Sequence, residues 1–419
     1  MITLVGLDPV LFRKQLRLAE LFSRTISTPY FLVRISVFIN IIMRGDFIME
    51  NINKHRDSNL QKLFDKIIKH LKMVRENGLY ATIKQLLRYN TSIIQLLIVL
   101  RFKYFHFIIP TPTDITIDPV NMCNLHCPLC PTGTGLLKYN KSMMSFNTFR
   151  TIIDKMPEIK NINLYNWGEP FLNPNLLAMV RYAKSRSIKI TLDSNFSFIK
   201  QEDFFIDIVQ SGLDYLRISC DGASQATYSK YRIGGDFNLV INNIKNLVYF
   251  KNKLKSATPA IIWKFIVNKY DQDEIQKAHD MASELGVSFK VDPIGLSDDI
   301  PDLIINLDVS KSKEIWLPKD KKYILKCYRN HYKKPLNNGP CFFLFNYIFV
   351  NPDGKIFPCC FASDESNVFG DLLADSIDNI WNNENYKYSR SLFTGNKYSG
   401  SVTKTICSDC TNFKKYNGS

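Results

Sequence analysis

The spacing of apolar positions changes near residue 113. Over residues 60–74 apolar side chains recur at helical spacing with lysines on the opposite face, which predicts an amphipathic helix, and a second helix is predicted over 79–100. Beyond residue 113, short β-rich runs alternate with helical patterns. The predicted strands are 114–117, 161–166, 188–193, 215–219, 261–267 and 288–292, and the predicted helices are 146–156, 175–185, 201–210, 237–251 and 271–285.

This order of elements predicts the fold class. Repeated strand-then-helix units imply a parallel sheet with right-handed crossovers, so we expect an α/β fold with a partial (β/α)6 barrel of the TIM type. Functional side chains of such sheets gather at the carboxyl ends of the strands. The alternation fades after Pro293. We therefore divide the chain into a helical N-terminal region (1–110), a barrel core (111–295), a linker (296–340) and a small cysteine-rich module (341–419).

Composition and charge narrow the classes of function. The chain has 419 residues, of which 45% are hydrophobic and 22% charged, so it can form a large core and is not disordered. The net charge is +15, and residues 1–110 contribute 17 Lys and Arg against 7 Asp and Glu. Such a basic region suits an anionic membrane surface or a nucleic acid, although a solvated helix surface explains it equally well.

We expect a cytoplasmic location, because no signal-peptide pattern and no long uncharged apolar stretch occurs. Peripheral contact with a membrane surface through residues 52–110 is the alternative that the basic, aromatic stretch before Pro110 leaves open.

Three of the ten cysteines follow the first predicted strand. Cys123, Cys127 and Cys130 have the spacing C-x3-C-x2-C. Three thiolates this close can hold a [4Fe–4S] cluster and leave its fourth iron without a protein ligand, which makes that iron reactive. A zinc or ferredoxin-type site is the alternative for this spacing alone.

With the barrel pattern around it, this motif resembles the radical S-adenosylmethionine (SAM) superfamily. The resemblance covers about residues 113–292. It implies that the open iron binds SAM and that an electron from the reduced cluster cleaves SAM to form a 5′-deoxyadenosyl radical. It also implies a reducing electron donor such as flavodoxin or ferredoxin.

Polar residues after the second, third and fourth predicted strands match the family in turn. Trp167-Gly168-Glu169-Pro170 stands where the family usually has Gly-Gly-Glu-Pro, so Gly168 and Glu169 are expected to bind SAM. Ser194 and Asn195 stand where the ribose is often bound, and Ser219 where a serine often contacts SAM. Each of these residues alone is as compatible with a turn as with a ligand contact.

A second group of cysteines lies near the C-terminus. Cys341 and Cys359 flank a segment that reads as a hairpin with a Pro-Asp-Gly turn, and Cys407 and Cys410 form a C-x2-C pair. These four thiolates suffice for a zinc ion or a fully ligated [4Fe–4S] cluster. Cys360 is an alternative to Cys359 as a ligand.

This layout resembles the SPASM and twitch extensions of radical SAM enzymes. Because no cysteine follows Cys410, the resemblance is to a twitch-like form with one auxiliary [4Fe–4S] cluster. That cluster is expected to accept the electron left after hydrogen abstraction, whereas a purely structural site is the alternative.

The sequence thus predicts a radical SAM oxidoreductase that abstracts a hydrogen atom from a substrate that the sequence does not identify; dehydrogenation of a small-molecule alcohol or sugar is the reaction that the resemblance to one-cluster enzymes implies. A radical SAM maturase that modifies a ribosomal peptide is the second hypothesis. The third hypothesis is a non-catalytic zinc protein that binds nucleic acid. Nucleic acid is the partner that the sequence favours least. No catalytic residue is assigned.

Overall fold

The computed structural model describes residues 109, 111–137, 140–295, 309–324, 341–362, 364–394 and 398–410. The expectations for residues 1–108, including the amphipathic helices and the membrane contact, therefore lie outside the described residues. The described residues all belong to one compact unit. None of the helices among these residues is both long enough and apolar enough to cross a membrane.

Nine strands of the described residues form one sheet. They are β1 (Asp114–Ile117), β2 (Asn161–Asn163), β3 (Lys189–Ser194), β4 (Tyr215–Ser219), β5 (Ala260–Val267), β6 (Ser288–Pro293), β7 (Ile348–Val350), β8 (Lys355–Phe357) and β9 (Gly370–Asp371). Their order is β6-β5-β4-β3-β2-β1-β7-β8-β9, and every pair from β6 to β7 is parallel. The predicted partial (β/α)6 barrel is confirmed.

The helices follow the strands as expected. They are α1 (Pro131–Thr134), α2 (Phe146–Asp154), α3 (Leu176–Ser185), α4 (Glu202–Gln210), α5 (Gln225–Tyr231), α6 (Phe237–Lys253), α7 (Ile275–Glu284), α8 (Val309–Trp316), α9 (Phe342–Asn346), α10 (Ile377–Trp381) and α11 (Glu384–Thr394). Side-chain caps explain several of their starts, since Ser145 and Asp236 accept hydrogen bonds from the first turns of α2 and α6.

Two features differ from the sequence expectation. β2 ends at Asn163 instead of continuing to 166, because the chain then turns so that the Glu169 N–H donates to the Met122 carbonyl at 2.8 Å. The sequence did not predict six of the described helices, which are α1, α5, α8, α9, α10 and α11; α5, for example, consists of seven mostly polar residues.

The C-terminal hairpin extends the barrel sheet. β7 and β8 pair antiparallel as predicted, and Gly354 in their turn has a φ of 88°, which favours glycine. β7 also pairs in parallel with β1, where Ile115 lies opposite Ile348. The cysteine-rich segment is therefore joined to the first barrel strand by backbone hydrogen bonds, and one apolar core runs beneath both parts.

Candidate active site

The first cysteine group lies in the loop between β1 and α1. Asn121 fixes the start of this loop, since its side-chain oxygen accepts a 2.7 Å hydrogen bond from the Ser142 N–H. Gly133 allows α1 to approach Cys127 closely, because a Cβ on Gly133 would lie 2.5 Å from the Cys127 nitrogen. Cys127 is buried, whereas Cys123 and Cys130 are half-buried.

Nitrogen donors point at two of these sulfurs. The Leu125 N–H donates to Cys123 Sγ at 3.4 Å, and the Asn195 side-chain amide donates to it at 3.6 Å. Arg232 Nη1 lies 3.8 Å from Cys127 Sγ. Burial, followed by Glu169 and the other two thiols of the loop, raises the pKa of Cys123 to about 12. The three cysteines are therefore close enough to interact electrostatically, and N–H donors of this kind stabilise charged sulfur ligands.

Gly168 and Glu169 lie against the same loop. A Cβ at Gly168 would fall 1.7 Å from the Val120 carbonyl oxygen, so no other residue fits there without a backbone shift. Glu169 is only 2% exposed, and burial raises its pKa to about 7. This places a buried carboxyl group directly behind the cysteine loop.

Ser194 and Asn195 bind that carboxyl group. Ser194 Oγ donates to Glu169 Oε1 at 2.7 Å, and the Asn195 N–H donates to Glu169 Oε2 at 2.7 Å. Both residues come from the carboxyl end of β3. Ser219 ends β4 and is buried, but among the described contacts its side chain makes no hydrogen bond to this group. Four of the five expected SAM-binding residues are thus adjacent.

A buried ion pair that the sequence reasoning missed stands on the other side of the loop. Arg232 Nε lies 2.6 Å from Asp221 Oδ2, and the Ile266 N–H donates to Asp221 Oδ1 at 2.7 Å. Arg232 therefore carries a positive charge to within contact distance of Cys127. The polar turn after β4, which contains Asp221, was visible in the sequence. Nothing in that turn indicates that Asp221 pairs with an arginine eleven residues later.

A second polar group missed by sequence reasoning lies within the sheet. Arg217 on β4 contacts both Asp193 on β3 and the Tyr165 hydroxyl, and Lys264 Nζ lies 3.4 Å from Asp193 Oδ2. Arg217 and Ser219 share one face of β4, and Ser219 lies opposite Lys264. This charged group therefore adjoins the expected SAM-binding residues. A charge inside an otherwise apolar strand was the signal that could have found it.

The second cysteine group converges near the C-terminus. Cys341 immediately precedes α9, Cys359 and Cys360 follow β8, and the Cys410 N–H donates to the Cys407 carbonyl at 3.3 Å. Burial raises the pKa of Cys359 well above its usual range, and the thiols of Cys360, Cys407 and Cys341 raise it further. The pKa of Cys360 is raised to about 12 by burial and by the thiol of Cys341. Both adjacent thiols therefore interact with Cys341, and Cys359 also interacts with Cys407.

Both groups offer the donors that iron–sulfur clusters use, namely several thiols with hydrogen-bond donors beside them. All nine cysteines of the described segments are free of disulfides, and Cys220 is fully buried in the barrel core. No set of three or more His, Cys, Asp or Glu side chains within the described ranges is arranged to hold a single metal ion. The chemistry of the donor set fits a cluster, and the individual ligands remain predictions.

Comparisons with known proteins bear on this arrangement. The sequence model of the Radical SAM superfamily matches residues 117–262, and that of SPASM, an iron-sulfur cluster-binding domain, matches residues 341–411. The tungsten-containing aldehyde ferredoxin oxidoreductase cofactor-modifying protein of Pyrococcus furiosus is 22% identical over 322 residues, which cover 70% of this chain and 86% of the relative. Mycofactocin maturase MftC of Mycolicibacterium smegmatis is 22% identical over 286 residues, covering 64% and 70%.

Among solved structures, SuiB of Streptococcus suis bound to S-adenosylmethionine aligns with a TM-score of 0.52 and 15% identity over 84% of this chain and 82% of SuiB. This likeness supports the barrel fold. The matches favour an enzyme over the zinc-binding alternative. The chain contains a Radical SAM domain, which implies a [4Fe–4S] cluster and SAM as cofactors, and a C-terminal SPASM domain, which implies auxiliary iron–sulfur binding.

Proposed function

We propose that this protein is a radical SAM oxidoreductase that removes a hydrogen atom from its substrate. The observation that carries the proposal is the position of Asn195, whose side chain bonds Cys123 Sγ while its backbone N–H bonds Glu169. One residue therefore links an expected cluster ligand to an expected SAM ligand. Such a link keeps two reacting partners in a fixed relation, which lowers the entropic cost of their reaction.

We assign Cys123, Cys127 and Cys130 as ligands of the radical-generating cluster. Donors from Leu125, Asn195 and Arg232 neutralise part of the negative charge on the sulfurs. This matters because the hydrogen bonds and net charge around a cluster set its reduction potential. The loop is tied to its surroundings by backbone and side-chain hydrogen bonds, so its thiols are held in place before a cluster binds.

Gly168, Glu169, Ser194, Asn195 and Ser219 are the proposed SAM-binding residues. The Glu169 carboxylate would accept hydrogen bonds from the SAM ammonium, and the polar ends of β3 and β4 would hold the ribose and the remaining polar groups. In the structure both Glu169 oxygens already accept hydrogen bonds from β3. Their orientation is therefore fixed, and only their remaining lone pairs are open to a ligand.

Cys341, Cys359, Cys407 and Cys410 are the proposed ligands of one auxiliary cluster. We choose Cys359 over Cys360 because it neighbours both Cys341 and Cys407. When bound, the first cluster and SAM would supply reductive cleavage and hydrogen abstraction, and the auxiliary cluster would supply an acceptor for the electron that the substrate radical gives up. The proposed domains are 1–110, 111–295, 296–340 and 341–419.

We place the substrate beside the charged group of Tyr165, Asp193, Arg217 and Lys264. These side chains are half-buried and adjoin Ser219, so a molecule in contact with them lies next to the proposed SAM site. Two cations share one carboxylate there, which leaves an excess of positive charge. Such a lining favours a substrate that carries an anionic or strongly polar group.

A peptide is a second candidate substrate beside a small alcohol or sugar. It is favoured by the relative that is a maturase and by SuiB, which has also been solved bound to a precursor peptide with a TM-score of 0.51. Product analysis separates the two. Loss of two hydrogens from a small alcohol supports dehydrogenation, whereas a modified peptide supports maturation.

The proposed function is tested by anaerobic purification, iron analysis and reaction with SAM and reduced flavodoxin or ferredoxin. We expect iron and sulfide for two clusters and release of 5′-deoxyadenosine that depends on SAM and on the reductant. A Cys220→Ala variant is the matched control, because it removes a buried core thiol that is not a proposed ligand. Protein that contains iron for one cluster only, or that releases no 5′-deoxyadenosine, contradicts the proposal.

A further inference from the structure

Arg390 is a buried arginine in the C-terminal part of the chain. It lies on α11 and is 1% exposed. Its Nε donates to the Leu344 carbonyl at 2.8 Å, and its Nη1 donates to the Trp381 carbonyl at 2.7 Å. Its Nη2 is buried and has no hydrogen-bond partner. A buried guanidinium with an unused donor is costly unless a negative charge compensates it.

No carboxylate provides that compensation. In the part of the chain that the structure describes, Arg390 makes no ion pair, in contrast to the buried Arg232 with Asp221. Burial lowers the pKa of Arg390 to about 9, which still leaves the side chain cationic at neutral pH. Its neighbours are aromatic, since the guanidinium carbon lies 4.2 Å from the Trp381 ring centroid and 4.8 Å from that of Tyr386. These rings attract the cation without balancing its charge.

The surroundings of Arg390 are those of the second cysteine group. Leu344, whose carbonyl it binds, lies in the helix that begins directly after Cys341. Burial raises the pKa of the Tyr386 hydroxyl, Arg390 lowers it, and Cys407 and Cys359 raise it, so Tyr386 is near both Arg390 and those thiols. The Tyr386 hydroxyl is also a buried group without a hydrogen-bond partner.

Ser389, the residue before Arg390, also lies near the second cysteine group. Ser389 Oγ lies 2.8 Å from Thr405 Oγ1, and hydrogen bonds from Ser389 and Thr405 partly offset the burial that raises the pKa of Cys407. One turn of α11 therefore carries both Ser389, which contacts Cys407, and Arg390, which binds the helix that follows Cys341. Two unpartnered polar atoms, on Arg390 and Tyr386, accompany four neighbouring thiols.

A purely structural role explains only part of this arrangement. The bonds to the Leu344 and Trp381 carbonyls join α11 to the ends of α9 and α10, which is useful packing. A neutral amide would serve the same carbonyls without the cost of burying a full charge. A cluster held by four thiolates, by contrast, carries a net negative charge, and its attraction for the guanidinium would offset the cost of burying that cation.

We propose that Arg390 is the buried counter-charge of the auxiliary iron–sulfur cluster and raises its reduction potential. The inference rests on the proposed assignment of Cys341, Cys359, Cys407 and Cys410. A nearby fixed positive charge stabilises the reduced state, which has one more negative charge, and so makes the cluster a better electron acceptor. Arg390 is thus a positioning residue that acts through the cluster and does not contact the substrate.

The test uses the full chain with Cys123, Cys127 and Cys130 replaced by Ala, so that the auxiliary cluster alone gives a signal. Iron per chain and the midpoint potential, from a redox titration followed by electron paramagnetic resonance, are compared among this parent, Arg390→Gln, Arg390→Lys and Arg181→Gln. The last variant removes the same charge from an exposed ion pair and serves as the control. We expect Arg390→Gln to shift the midpoint to more negative potential, and Arg390→Lys and Arg181→Gln to stay close to the parent.

Each outcome decides the inference. If Arg390→Gln loses its iron while Arg390→Lys keeps both iron and midpoint, the positive charge is required and the inference holds. An unchanged midpoint in an iron-loaded Arg390→Gln variant overturns it, as does an equal shift or loss of iron in Arg390→Gln and Arg390→Lys. Absence of iron from the parent itself overturns the ligand assignment, and this failure is distinguishable because it precedes any change at Arg390.

Discussion

The side-chain amide of Asn195 donates a hydrogen bond to Cys123 Sγ over 3.6 Å. Asn195 follows β3 and Cys123 follows β1, so the loops after two strands that are not neighbours in the sheet meet at one sulfur atom. The same amide donates to Asn124 Oδ1 at 2.8 Å, which fixes its direction. A positioned donor at a cluster sulfur influences both ligand geometry and reduction potential.

Replacing Asn195 by Ala is expected to slow SAM cleavage by about tenfold or more, because a hydrogen bond to a cluster ligand is lost. Iron content should stay near that of the parent, since all three cysteines remain. The measurement is 5′-deoxyadenosine release under a fixed reductant, together with iron per chain. Asn243→Ala is the control, since Asn243 bonds only the Phe196 and Phe198 carbonyls. Unchanged cleavage by Asn195→Ala would remove the proposed link.

Gly168→Ala should be much more damaging than an alanine at a glycine with free space. The new methyl group would lie 1.7 Å from the Val120 carbonyl oxygen, which forces the cysteine loop to move. We expect a loss of about 1–3 kcal/mol in the free energy of unfolding and reduced iron at the first site. Gly295→Ala is the matched control, because nothing lies within 4 Å of a Cβ there. Equal melting temperatures and iron contents for the two variants would contradict the packing described.

The two adjacent cysteines of the C-terminal group should behave differently. The thiols of Cys341 and Cys407 both act on the pKa of Cys359, whereas the thiol of Cys341 acts on the pKa of Cys360. We expect Cys359→Ala to lose the iron of the auxiliary cluster and Cys360→Ala to keep it. Iron and acid-labile sulfide per chain are measured for both. Retention by Cys359→Ala with loss in Cys360→Ala would reverse the assignment.

Asp271 should make stability fall as the pH rises. Burial, followed by the nearby charge of Asp221, raises its pKa to about 9, from an ordinary value near 3.8 in the unfolded chain. Between these values the folded state retains a proton that the unfolded state has lost, so each pH unit favours unfolding. Asp271→Asn removes this cost.

The effect of Asp271→Asn is measured as the difference in unfolding free energy from the parent. Between about pH 5 and pH 8, the variant should become more stable relative to the parent by at least about 1 kcal/mol, since one pKa unit corresponds to about 1.4 kcal/mol. Asp280→Asn, at an exposed position, is the control. A difference that does not depend on pH would show that Asp271 is ionised in the folded protein.

Local patterns predicted most of the fold. The six barrel strands could be identified from short β-rich runs, and the cysteine loop because Cys123, Cys127 and Cys130 lie within eight residues. The hairpin before Cys359 was likewise marked by its Pro-Asp-Gly turn. These features depend on neighbours in the sequence.

The parts that sequence reasoning missed depend on distant contacts. The parallel pairing of β1 with β7 joins segments more than two hundred residues apart, and no local pattern encodes such a partner. Arg232 and Arg390 look like ordinary surface cations in the sequence, although one pairs with Asp221 in the interior and the other has no acidic partner among the described residues. Their burial follows from how the helices pack, which a single sequence does not reveal.

The role of the first cysteine group in SAM cleavage is tested by replacing Cys123, Cys127 and Cys130 by Ala together and measuring 5′-deoxyadenosine formation from SAM under reducing, anaerobic conditions. We predict that formation stops, while the variant keeps the iron of the auxiliary cluster and the melting temperature of a folded protein. Continued formation of 5′-deoxyadenosine by this variant at the parent rate would show that these three cysteines do not hold the radical-generating cluster.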